Sequence, residues 1–108
     1  MGTSNMTELD MLDNYGYPTQ ECLEEIRDWP YGDYKGLLDK VHDIWKYAED
    51  GYWRQDGYKY YISTAGWSGN EEIIGALRSN TIFWGICWEQ SRRGGHYIFD
   101  LYRGKADE

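Results

Sequence analysis

Cysteine, proline and phenylalanine are scarce in this chain, with two of each among 108 residues. The two thiols, Cys22 and Cys87, are too few for a disulfide framework or a cysteine-built metal cage. No apolar run approaches the ~18 residues that a membrane-crossing helix requires. The first residues show no basic segment followed by an apolar one, so no secretory leader is expected and the cytoplasm is the expected compartment. Positive charge is also short: 11 Lys and Arg stand against 19 Asp and Glu, a net charge of −8. That balance argues against direct nucleic-acid binding, which needs cations to replace counterions on phosphates.

What is abundant is aromatic side chains that carry a polar atom. Six Trp and eleven Tyr bring the aromatic share to 18%. Such rings fill cores, but their N–H and O–H groups seek partners or water, which also suits them to interfaces. With 41% hydrophobic and 28% charged residues, the composition is that of a folded domain, and the length fits one domain.

Residues 1–17 show no sustained period and are expected to form a flexible N-terminal arm, or a segment ordered only by packing. The expected domain spans 18–102 and a polar tail follows at 103–108. Thr19 opens a helix over 19–28 with Glu21, Glu24 and Glu25 in its early turns, and Trp29-Pro30 ends it. Leu37, Leu38, Val41, Ile44, Trp45 and Ala48 fall on one face of a 3.6-residue period, which predicts a second helix. Asp56-Gly57 between Tyr52–Gln55 and Tyr58–Ser63 predicts a hairpin. Ser68 with Glu71 three residues on has the form of a capping box, opening a helix to about Ser79. In Thr81–Glu89, alternating large apolar residues predict a two-faced interior strand. Arg92-Arg93-Gly94-Gly95 reads as a turn, with His96–Tyr102 returning as a strand. The expected order is ααββαββ, an α+β domain whose four-stranded, mainly antiparallel sheet carries helices on one face.

Two sets of residues suggest binding. Seven acids in the first thirty residues oppose Arg27 alone, and Glu21, Glu24, Glu25 and Asp28 with Trp29 form a candidate docking surface for a basic protein. The alternative is an anion cradle: Gly66, Trp67, Ser68, Gly69 and Asn70 lie between a strand and a helix, where backbone N–H groups favour anions. Arg92, Arg93 and His96, the densest basic cluster, would supply the charge-assisted bonds. A helix cap and a tight turn account for the same loop residues. The loop lacks the Gly-Lys-Ser/Thr ending of a P-loop and, with Asn70 in place of a second glycine, departs from a nucleophile elbow. His42 between Asp39 and Asp43 has no supporting ligands for a metal. No nucleophile has a general base placed for it, so no enzymatic activity, cofactor or metal is expected.

The segment Ser63-Thr64-Ala65-Gly66-Trp67-Ser68-Gly69-Asn70-Glu71, continued by Phe83-Trp84, Cys87-Trp88 and Ser91-Arg92-Arg93-Gly94-Gly95-His96-Tyr97, resembles a motif of small phage and prophage proteins of uncharacterised function. The resemblance covers about 40 residues of the second half. It implies a phage origin and, in a host cell, the cytoplasm. It carries over no active-site residues. Small acidic phage proteins often inhibit host enzymes or defences, so the expected function is binding and inhibition of a host or phage protein.

Overall fold

The computed structural model describes residues 11–104. Residues 1–10 of the expected arm and 105–108 of the expected tail lie outside the described residues. Within 11–17 the chain is pinned to the domain and is not a free arm. Met11 is buried, Leu12 pairs with Pro18, and the Asp13 carboxylate accepts hydrogen bonds from the backbone of Tyr15 and Tyr17.

Helix α1 (Gln20–Arg27) starts where Thr19 Oγ1 accepts from the Cys22 N–H at 3.1 Å, and it buries Cys22 and Ile26. Helix α2 (Tyr34–Ile44) buries Tyr34, Leu37, Leu38, Val41 and Ile44, as its apolar spacing requires. It ends four residues sooner than the stripe suggests. Trp45 leaves the helix in extended backbone yet stays buried, its Nε1 donating to the Ser63 carbonyl at 3.0 Å. Ala48 lies in a single 3-10 turn, Ala48–Asp50, reached through a left-handed Tyr47.

Strands β1 (Trp53–Asp56) and β2 (Lys59–Ser63) form the expected hairpin. Two helices follow, α3 (Ser68–Ser79) and α4 (Thr81–Cys87), then β3 (Trp88–Arg92), β4 (His96–Asp100) and a 3-10 turn at Leu101–Gly104. The sheet order is β1-β2-β4-β3 and every pairing is antiparallel. The molecule is therefore the α+β domain expected, with one more helix than the sequence suggested.

That helix corrects, over 81–87, the reading of 81–89 as a strand, while Trp88 and Glu89 do begin β3. Its apolar residues fit both periods: Phe83 and Cys87, four apart, are buried, while Ile82 is 53% exposed. Asn80 decides between them. Its Oδ1 accepts from the Phe83 N–H at 3.2 Å and starts the helix, while its amide donates to the carbonyls of Ile26 and Trp29. A buried side chain with three such partners holds the α3–α4 junction against α1.

Register assigns the sheet's two faces, since directly opposed residues share a face. Trp53, Ile62 and Tyr97 form one row toward the helices, and Tyr60 and Phe99 the next. Phe99 meets Phe83 at 5.3 Å between ring centroids, and Phe83 meets Tyr34 at 5.4 Å. On the opposite face Arg54, Tyr61, Ile98 and Gln90 make one row, and Ser63, His96 and Arg92 another.

Candidate functional site

Glu21, Glu24, Glu25 and Asp28 sit at offsets 0, 3, 4 and 7 of α1, the face opposite Cys22 and Ile26. All four line one concavity of about 470 Å³, together with Trp29 and Pro30. The helix supplies the carboxylates, and the Trp29-Pro30 exit supplies an apolar wall. Trp29 is held in place: its Nε1 donates to the Asp33 carbonyl at 2.8 Å and to Asp33 Oδ2 at 3.2 Å. The Lys40 ammonium of α2 lies 5.9 Å from the Trp29 ring centroid and 3.8 Å from Glu25 Oε2. Arg27 pairs with Asp28 at 3.0 Å and, by hydrogen bonding, holds that carboxyl below the usual carboxylate range. Glu24 accepts from Gln20 at 3.2 Å. Glu21 and Glu24 make no ion pair among the described residues. The four acids and the tryptophan proposed from the sequence thus line one concavity, with a cation already seated against its tryptophan.

The loop of the anion cradle is arranged otherwise. Trp67, not Ser68, is the N-cap of α3 and gives no side-chain cap bond. Ser68 Oγ instead donates to the Tyr17 hydroxyl at 3.2 Å, and Glu71 lies within 3.5 Å of Thr64 Oγ1. The capping box is absent because Trp67 folds back over its own helix. A Cβ on Gly69 would collide with that ring, so glycine there admits tryptophan. Tyr17 packs on one side of Trp67 at 4.8 Å, and the Lys46 ammonium sits 4.8 Å from its centroid. Asn70 is fully buried; its amide donates to the Lys46 and Thr64 carbonyls and its Oδ1 accepts from the Lys46 N–H. Asn70 is thus committed to the chain itself.

Arg92 and His96 do not join Gly66–Asn70 around a shared concavity. Both face the outer side of the sheet, in a concavity of about 420 Å³ that also takes in Arg54 and Tyr61. Arg93 is exposed in the turn. Gly95 allows that turn to approach the strand–helix loop: its carbonyl accepts from the Thr64 N–H at 3.0 Å, where any Cβ would strike Thr64. Arg78 lies over the stacked Trp84–Trp88 pair, 5.0 Å from the Trp84 centroid.

Sequence reasoning passed over Arg54 and Tyr61. Their alternation with Trp53, Tyr60 and Ile62 was the available signal. It also passed over a cavity of about 360 Å³ walled by Tyr34, Tyr58, Tyr60 and Gln55. Burial raises the Tyr34 and Tyr60 phenols above the ordinary tyrosine value. His42 packs edge-on against Trp53 at 5.0 Å, and no metal-competent cluster occurs among the described residues. No described helix is long and apolar enough to cross a membrane. Comparison of the chain with protein-family models, curated proteins and solved structures returned no match.

Proposed function

We propose that the protein binds a basic segment of another protein through the α1 groove and acts by occupying that partner, as an inhibitor of a host or phage protein does. The observation that carries this reading is the convergence of Glu21, Glu24, Glu25, Asp28 and Trp29 on one concavity. Four carboxylates around an indole suit an arginine or lysine side chain, which gains charge-assisted bonds and a cation–π contact together. Lys40 at the Trp29 ring is the chain's own example of that contact. Occupation of a partner requires no nucleophile or cofactor.

Affinity capture with the full chain supplies the partner, and surface plasmon resonance then tests the groove. Glu21→Lys with Glu24→Lys leaves the Glu25–Lys40 contact intact while reversing the unpaired charge. The wild-type association rate should fall as salt rises, and the double variant should associate about tenfold more slowly at low salt. Trp29→Ala should chiefly speed dissociation, as an interface tryptophan does. Equal association rates for wild type and double variant across the salt series would remove α1 as the docking face.

A further inference from the structure

We propose that the outer face of the sheet binds a small planar anion, of the chemistry of a nucleoside monophosphate, between Arg54 and Arg92. The concavity there, about 420 Å³, falls in the range of small-molecule sites and has no Asp or Glu among its lining residues. In a chain with 19 acids that gap is informative. The acids of this face lie toward its other end, where Glu89 is engaged by Lys59 at 3.3 Å. Neither Arg54 nor Arg92 forms an ion pair among the described residues.

The two arginines are differently prepared. The Arg54 guanidinium lies 4.0 Å from the Tyr61 ring centroid. Stacked in this way, it presents its outer plane to a further flat group, a mode by which bases are held. Arg92 is oriented by its Nε–H, which donates to Gln90 Oε1 at 2.5 Å. Its terminal nitrogens make no hydrogen bond among the described residues, and they lie in the row that brings His96 and Ser63 alongside. A guanidinium fork beside an imidazole suits a phosphate or carboxylate. Arg54 and Arg92 stand on the two edge strands, three inter-strand steps apart and one row offset, about 16 Å between backbones. A ligand engaging both ends is elongated, which favours a base joined to a phosphate over a bare phosphate.

Calorimetry of the full chain with AMP, adenosine, ribose phosphate and inorganic phosphate tests this. AMP should bind, more weakly as salt rises, and each fragment should bind at least about tenfold more weakly. Arg54→Ala and Arg92→Ala should each weaken AMP about tenfold or more. Arg78→Ala, a distant stacked arginine, should leave it unchanged. Both site arginines are exposed, and circular dichroism checks the fold; Arg54→Gln and Arg92→Gln serve if an alanine variant unfolds. Absence of heat with AMP at millimolar ligand, or equal AMP affinity in wild type and arginine variants, would overturn the assignment. So would a short single-stranded oligonucleotide that binds far more tightly than AMP, which would make the face a nucleic-acid platform. The inference is independent of the α1 groove: the charge-reversed α1 variant should retain AMP binding.

Discussion

Asn70 shows how a single polar side chain can organise this molecule. It is fully buried and spends its amide and carbonyl on Lys46 and Thr64, joining the exit of α2 and the end of β2 to the first turn of α3. Asn70→Ala strands the Lys46 N–H and carbonyl, while the Thr64 carbonyl keeps the Trp67 N–H, and should cost about 2–4 kcal/mol in urea unfolding. Asn70→Asp should cost at least as much, because it removes both amide donors and puts a carboxylate in the interior. Lys46→Ala, at the same junction, removes only exposed cation–π contacts to Trp67 and Tyr47 and should cost ~0.5–1 kcal/mol. A Lys46 effect larger than that of Asn70 would mean that the exposed stack, not the buried amide, holds the junction.

Helix α4 is the element whose identity turns on one cap. Gly85 lies exposed in its interior, and an added Cβ would meet nothing within 4 Å. Gly85→Ala should therefore stabilise the protein by roughly 0.5–1 kcal/mol, through helix propensity alone. In a strand alanine is a disfavoured residue, so a loss of stability would contradict the helix. Asn80→Ala should act oppositely. It removes the cap of α4, worth ~0.5–2 kcal/mol, and also takes the Asn80 donor from the Trp29 carbonyl and from the Ile26 carbonyl, which keeps the Trp29 N–H. The same side chain holds the Trp29 carbonyl, beside the Trp29-Pro30 wall of the acidic concavity.

For the molecule as a whole, surface ion pairs contribute little to stability and buried titratable groups set its alkaline limit. Arg27–Asp28 and Lys35–Asp39 are exposed, and such pairs are typically worth ~0–1 kcal/mol. Burial pushes the Cys22 thiol up from 9.0 to about 11, with the nearby Glu25 carboxylate adding to the shift. A folded-state value above the unfolded one means that the unfolded chain releases its proton first. The stability this represents is therefore present below pH 9 and lost as pH rises toward 11. Tyr34 and Tyr60, raised by burial, act in the same direction above their ordinary value of 10.0. The melting temperature should decline from pH 9 toward pH 11, and Cys22→Ala should flatten the lower part of that decline. An identical slope in the variant would assign the decline to the tyrosines alone.

Local caps, turns and periodicity were enough to specify α1, most of α2, the first hairpin, the turn expected at Arg92–Gly95 and the α+β class. Each depends on side chains within a few residues of one another, as does the outward row Glu21, Glu24, Glu25 and Asp28. The acidic concavity beside α1 was legible for the same reason, since one helix and its C-cap residue carry all its carboxylates. Tertiary structure decided what local spacing left degenerate. The residues of α4 satisfy both the helical and the strand period, and Asn80 settles them through the carbonyls of Ile26 and Trp29, more than fifty positions earlier in the chain. Trp67 displaces Ser68 as cap because Tyr17 and Lys46 converge on its ring from distant segments. Arg92 and His96 share a concavity with Arg54 because β4 pairs with β2, and strand order is a property of the sheet, set by long-range packing that no window of sequence contains.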